Sequence, residues 1–300
     1  MSEKCRICPR MCNTDRIFEK GFCNMPQEPV LARCSLHYWE EPCISGVKGS
    51  GTVFFSGCSL KCVFCQNYKL SHNNYGETVT KERLGEIFLE LEEQGAENIN
   101  LVNPTHFIPV IAQTLRDYSV KIPVVYNSSG YERVESLRCL EGLIDIYLPD
   151  LKYYDSEVSA KYAAAPDYFE YASSAVLEMA RQVGAPVFDE QGRMTRGLMV
   201  RHLILPANTN QSIKILQWVK ENLPERVYVS LMCQYTPYGN LEAYPELNRR
   251  ITKREYEKVV RYMEQLGLLD GYVQERSSAN QEYIPDFSLQ GVLQSWKEQI

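Results

Sequence analysis

From residue 52 onward the apolar positions alternate between two periods. Thr52-Val53-Phe54-Phe55 is a short β-rich run that ends at Ser56-Gly57-Cys58. Leu84, Ile87, Phe88 and Leu91 then fall at i, i+3, i+4 and i+7 and predict a helix that Gly95 closes. Residues 98–103 read as a strand, and Phe107, Val110, Ile111 and Leu115 put one apolar face on a following helix. Residues 122–127 predict the next strand, Val134, Leu137 and Leu140 a helix, and residues 144–148 another strand. A helix near residues 168–183 ends at Gly184, and Asp189-Glu190-Gln191-Gly192 reads as the turn of an inserted hairpin. Residues 198–205 (LMVRHLIL) are almost continuously apolar, as expected of a parallel strand covered on both faces. A helix holding Leu216, Val219 and Leu223 follows, and residues 227–232 are a sixth strand. The last helix opens with a capping box, Thr252-x-x-Glu255, and carries Tyr256, Val259, Val260, Met263 and Leu266 on one face.

Six strands separated mostly by helices argue for an α/β protein with a parallel sheet and helical crossovers. An open doubly wound sheet and a barrel both fit that alternation. In either, ligands gather at the carboxyl ends of the strands. Cys58, Asn103, Asn127, Asp150, Pro206 and Gln234 all fall at or just past those predicted ends.

Composition narrows the class without naming a function. With 44% hydrophobic and 23% charged residues, the 300-residue chain is of ordinary globular make-up. Its net charge is −6 and no basic run is present, so the Lys/Arg footprint of a nucleic-acid binder is missing from the linear sequence. No apolar run has the length of a membrane span, and Met1 to Arg6 lack the apolar stretch of a signal peptide. A cytoplasmic protein with reduced thiols is the expectation, with neither nucleic acid nor membrane as partner.

The cysteines are the unusual feature. Nine of eleven lie in the first 65 residues: Cys5, Cys8, Cys12, Cys23, Cys34, Cys43, Cys58, Cys62 and Cys65. Cys58, Cys62 and Cys65 form C-x3-C-x2-C directly after the first predicted strand. Three thiolates on one short loop can hold three irons of a 4Fe–4S cluster and leave the fourth open to an exogenous ligand. Zinc would want a fourth ligand, and catalytic zinc sites are richer in His than a chain with four histidines. Further upstream, Cys5, Cys8, Cys12 and Cys23 sit in a stretch too short to own a hydrophobic core. A metal staple would order it, and zinc, a second 4Fe–4S cluster and free thiols all remain open there.

The C-x3-C-x2-C spacing, the aromatic Phe64 before its third cysteine and its place after a β-strand resemble the radical S-adenosylmethionine (radical SAM) superfamily. Further segments resemble a family related to pyruvate formate-lyase-activating enzyme: residues 37–42 (HYWEEP), 54–58 (FFSGC), 65–67 (CQN), 104–107 (PTHF), 126–131 (YNSSGY), 145–152 (DIYLPDLK) and 201–206 (RHLILP). The resemblance implies a partial (β/α)6 TIM-like barrel with a Cys-rich N-terminal extension. It implies a 4Fe–4S cluster on Cys58, Cys62 and Cys65, with S-adenosylmethionine chelating the open iron. One-electron reduction by a donor such as flavodoxin or ferredoxin would then release a 5′-deoxyadenosyl radical for hydrogen abstraction. The substrate would be a glycyl-radical enzyme or another protein, or a small molecule or peptide. A non-catalytic iron–sulfur or zinc protein is the rival from another class. Activases of that type carry Gly-Gly-Glu-Pro after the second strand, where this chain has Val102-Asn103-Pro104-Thr105-His106. Asn103 and Thr105 offer comparable hydrogen-bond acceptors.

Phe64, Asn103, Thr105, Asn127, Asp150, Lys152, Arg201 and Gln234 are therefore the candidate contacts for S-adenosylmethionine. Asp150 and Lys152 match an Asp-x-Lys near the cofactor in the activases; a rim ion pair is the plainer alternative. Arg201 sits in an apolar strand run, where an unpaired charge is costly, so it needs a carboxylate partner, either the cofactor's or an Asp or Glu. Strand alternation turns His202 away from Arg201 toward a packing role. Glu40 and Glu41 would be a solvated face or a substrate contact. The expected organisation is residues 1–50 as the Cys-rich segment, 51–270 as the barrel, and 271–300 as a tail packed on it.

Overall fold

A computed structural model describes residues 4–275 and 286–294 of the chain. Its strands are β1 (Val30–His37), β2 (Ser50–Phe55), β3 (Glu77–Thr78), β4 (Ile99–Val102), β5 (Val124–Ser128), β6 (Ile146–Pro149), β7 (Val187–Phe188), β8 (Met194–Leu203), β9 (Tyr228–Met232) and β10 (Gly271–Val273). The helices are α1 (Pro42–Ser45), α2 (Tyr68–Ser71), α3 (Lys81–Glu93), α4 (Ile108–Asp117), α5 (Val134–Arg138), α6 (Ser156–Ala163), α7 (Tyr168–Val183), α8 (Thr209–Asn222) and α9 (Lys253–Gln265).

The strands form one sheet in the order β10-β9-β8-β6-β5-β4-β2-β1-β3, with β7 pairing β8 alone. From β2 to β10 every neighbouring pair is parallel. The six predicted strands are all present, and the order along this run never reverses. Right-handed crossovers in a single direction place every connecting helix on the same side of the sheet. The sheet therefore curls with helices outside, and the doubly wound alternative is excluded. It does not close, because its path ends at β10 on one side and β3 on the other.

Three strands escaped the apolar pattern. β1 runs antiparallel to β2 from within the first fifty residues, and the two-residue β3 pairs β1. β10 extends the parallel run beyond β9. Of the tail expected over residues 271–300, residues 276–285 and 295–300 lie outside the described part. Residues 289–290 bond to the backbone of β1, and Phe287 is buried against Phe54.

Strand alternation sorts the core into two compartments. Outward-facing Leu101, Tyr126, Tyr147 and Val200 pack under Leu84, Ile87 and Phe88 of α3, Ile111 of α4, Val176 and Met179 of α7, and Ile215 and Val219 of α8. Inward-facing Val125, Ile146, Leu148 and Met199 form a smaller cluster with Cys43 and Ile44 of α1. That short helix, started by Pro42, plugs the interior, and Asn98 donates a hydrogen bond to the Ile44 carbonyl.

Candidate active site

The inward positions climb the strands in steps of two. On β6 they read Ile146, Leu148 and then Asp150 just past the strand; on β8, Met199, Arg201 and Leu203; on β5, Val125 and Asn127. The lowest step is apolar, the next is ionic, and a cavity of about 240 Å³ lies above them. Cys58, Cys62 and Cys65 line that cavity together with Phe64, Asn103, Asn127, Asp150, Lys152, Arg201 and Gln234. The chain thus gathers three thiols and seven of the eight candidate cofactor contacts around one space.

The cysteine loop follows β2, and Lys61 within it takes a left-handed φ of 55°. Cys58 Sγ accepts from the Leu60 amide at 3.4 Å, and Tyr153 donates its hydroxyl to Cys62 Sγ at 3.2 Å. Burial pushes the Cys62 thiol up to about 12, and burial also raises Cys65. Thiols in such a place ionise only when a cation compensates them, and iron does so. Three enclosed thiols with donors aimed at sulfur fit the three-cysteine ligand set of a 4Fe–4S cluster. Tyr153 was not among the sequence candidates. Nothing in its own neighbourhood marks it, because its partner lies 91 residues upstream.

Below the cavity, Arg201 is held on every side. Its Nε donates to Asp150 at 2.8 Å, and its two terminal nitrogens donate to Glu40 at 3.1 Å and Asn127 at 2.5 Å. Lys152 Nζ bonds the other Asp150 oxygen at 2.5 Å. Burial opposes the charge on Asp150, but Arg201 and Lys152 outweigh it and hold the carboxyl below its ordinary range. Burial wins at Glu40 and Glu41, which are raised despite Arg201. The layer therefore sets three carboxyls against two cations, Arg201 and Lys152. Of the two partners considered for Arg201, the protein's own carboxylates are the ones in place. Glu40 and Glu41 do not form a solvated face: the chain entering α1 carries both under the guanidinium.

Thr105 is the candidate the structure keeps away from the cavity. It begins the 3₁₀ turn Thr105–Phe107, is fully buried, and donates its hydroxyl to Glu132 at 2.6 Å on the helix side of the sheet. Asn103, two residues earlier, takes a left-handed φ of 55°, which breaks the register after β4. Its amide donates to the Gly57 carbonyl, and its Oδ1 is buried without a hydrogen-bond partner beside the cavity. Phe64 packs edge-on against Tyr162 and Tyr235, and Gln234 accepts from Gln274. His202 faces the helices, bonded to the Leu151 carbonyl and the Ser212 hydroxyl.

The N-terminal cysteines occupy a separate place against the same loop. Cys8 and Cys23 are buried. Burial pushes Cys8 up to about 12, and neighbouring Cys23, Cys5 and Cys12 add to the rise. Arg10 ties the segment to the barrel by donating to the carbonyls of Ser59, Ala163 and Ala164. Among the described residues no three His, Cys, Asp or Glu side chains are grouped to hold a metal ion. No helix among them is long and apolar enough to cross a membrane.

Residues 52–236, from the first barrel strand to just past β9, match the radical SAM superfamily model. The chain belongs to the radical SAM superfamily. It is 30% identical over 276 residues to an uncharacterized protein of Methanocaldococcus jannaschii, covering 89% of this chain and 76% of that one. Among solved structures, SuiB of Streptococcus suis bound to precursor peptide SuiA matches 73% of this chain. That match has a TM-score of 0.50 at 14% identity and spans 46% of SuiB, under half its length. A domain of pyruvate-formate lyase-activating enzyme from Bacteroides vulgatus matches 57% of this chain and 91% of its own, at 14% identity and a TM-score of 0.39. Superfamily membership implies a 4Fe–4S cluster and S-adenosylmethionine.

Proposed function

We propose that this radical SAM protein is an enzyme that cleaves S-adenosylmethionine reductively and abstracts hydrogen from a second substrate. The observation that carries the reading is the convergence of Cys58, Cys62 and Cys65 with Asn103, Asn127, Asp150, Lys152, Arg201 and Gln234 on one cavity at the strand ends. When bound, the cluster and S-adenosylmethionine together supply reductive C–S cleavage and hydrogen-atom abstraction.

The chain's own residues bind and orient. Cys58, Cys62 and Cys65 would hold the cluster through three thiolates. Asn103 Oδ1, buried and unpartnered, is the acceptor for an amino group. Arg201 is already committed to Asp150, Glu40 and Asn127, so its part is to fix Asp150 and Asn127 in position. Lys152, anchored on Asp150, presents positive charge toward the thiolates. Phe64 and Tyr235 wall the cavity and keep water from it.

A protein substrate, as for a glycyl-radical activase, is the second reading. The sheet edges β10 and β3 do not meet, so the barrel has an open side. SuiB, which shares the fold, has been solved with a precursor peptide bound. In both readings the one-electron donor would be a flavodoxin- or ferredoxin-like carrier.

The test is anaerobic quantification of 5′-deoxyadenosine from S-adenosylmethionine with reconstituted, reduced protein. Wild type is expected to form it and Cys58→Ala to form none. A cluster-loaded wild type that forms none, with and without cell extract as substrate source, would overturn the reading.

A further inference from the structure

The segment ahead of β1 holds no regular secondary structure among its described residues, yet its backbone is tightly specified around four cysteines. Cys5 pairs its amide with the Thr14 carbonyl and its carbonyl with the Asn13 amide, closing the loop that contains Cys8 and Cys12. Met11 and Asn13, which flank Cys12, are both left-handed with φ of 38° and 55°, and Asn24 after Cys23 has φ of 59°. Such conformations cost energy in residues that carry a Cβ and persist only where the surroundings enforce them. The Phe22 amide donates to Cys12 Sγ at 3.2 Å, as backbone amides do toward metal-bound thiolates. A Cβ on Gly21 would stand 2.9 Å from that sulfur, so the chain returns close against Cys12 there. These constraints bring the Cys23 end of the segment back onto Cys12, and Cys5 back onto the loop with Cys8.

The same segment lies against the catalytic loop. The Cys23 carbonyl abuts Gly57, the residue before Cys58: a Cβ there would come within 2.9 Å of it. Phe22 is capped by Arg10 at 3.9 Å and Lys61 at 5.2 Å, and Lys61 lies between Cys58 and Cys62. All four thiols are free of disulfides. Cys5, Cys12 and Cys23 all lie near enough to Cys8 to act on its thiol, so the four face one space. Four thiolates satisfy either one zinc or a 4Fe–4S core, and metal content distinguishes the two.

We infer that Cys5, Cys8, Cys12 and Cys23 hold a second 4Fe–4S cluster, fully ligated by protein and packed behind the loop that carries the catalytic one. With four protein ligands it has no open iron and does not bind S-adenosylmethionine. The assignment stands apart from the proposed reaction, because it concerns metal content alone.

The test is iron, sulfide and zinc content of the full chain after anaerobic reconstitution. Wild type is expected to hold about eight irons and eight sulfides per chain. The Cys58→Ala/Cys62→Ala/Cys65→Ala variant should keep about four of each, with the electron paramagnetic resonance of a reduced 4Fe–4S cluster that added S-adenosylmethionine does not change. A wild type saturating at about four irons, or one bound zinc that survives reconstitution, would overturn the assignment. The wild-type count decides the question even where the triple variant does not fold. Loss of 5′-deoxyadenosine formation with the eight-iron count intact would strike the proposed reaction and leave the second cluster standing.

Discussion

Asp150 and Glu132 are two enclosed carboxyls on opposite sides of the same sheet, and they end in opposite states. Asp150 lies inward, between Arg201 and Lys152, and is held below its ordinary range. Glu132 lies outward under the helices, fully buried, with the Thr105 hydroxyl as its hydrogen-bond donor and its second oxygen unpartnered. Burial pushes Glu132 up to about 7. Desolvation works in the same direction at both sites, so the neighbouring charge decides which carboxyl ionises. The inward compartment holds charge beside the three-cysteine cavity, and the outward one tolerates a polar group only by keeping it close to neutral.

The strongest way to break the contrast is to remove the cation. Arg201→Met leaves Asp150, Glu40 and Glu41 enclosed without their common partner and should cost about 3–5 kcal/mol in anaerobic urea unfolding. Adding Asp150→Asn to that variant should recover part of the loss. Full stability in the single variant would mean that water, and not Arg201, carries the carboxylates.

The next effect has the opposite sign. Glu132 has a folded value near 7 against an ordinary 4.5, so the stability it contributes is complete below about pH 4.5 and is lost as pH rises toward 7. Glu132→Gln cannot ionise and should be more stable than wild type at pH 8, by up to about 3 kcal/mol. The two proteins should converge near pH 4.5. A variant no more stable at pH 8 than at pH 4.5, relative to wild type, would show that Glu132 is ionised at little cost.

The smallest change sharpens the same site. Thr105→Val removes the hydroxyl that favours the Glu132 carboxylate and should cost about 1 kcal/mol. It should also carry the decline on to higher pH, because the folded value rises while the unfolded one stays near 4.5. An unchanged decline would mean that Thr105 serves backbone geometry alone.

Much of this architecture was legible along the chain because its signals are local. Residues 198–205 announced a covered parallel strand by composition, and α9 announced its start through the Thr252–Glu255 capping box, which the structure forms. Cys58, Cys62 and Cys65 were legible as a set because they fall within eight consecutive residues, and the structure lines one cavity with all three. Thr105 was misplaced because the left-handed turn at Asn103 rotates it to the other side of the sheet. Glu40 and Glu41 read as a solvated face or a substrate contact because their partner, Arg201, is about 160 residues away in the chain. The two-residue β3 and three-residue β10 are too short to show a period, and they exist through the neighbours they pair with.

The sequence by itself determined the alternation of strands and helices, the inward step of two along each strand and the cysteine loop at a strand end. Each follows from the stereochemistry of a few consecutive residues. Only the tertiary structure decided that the sheet curls in one direction without closing, that α1 plugs its interior, and that Arg201 is consumed by Asp150, Glu40 and Asn127. Those outcomes depend on contacts between distant segments, where burial makes an unmatched charge costly and the partners that match it are chosen by the fold.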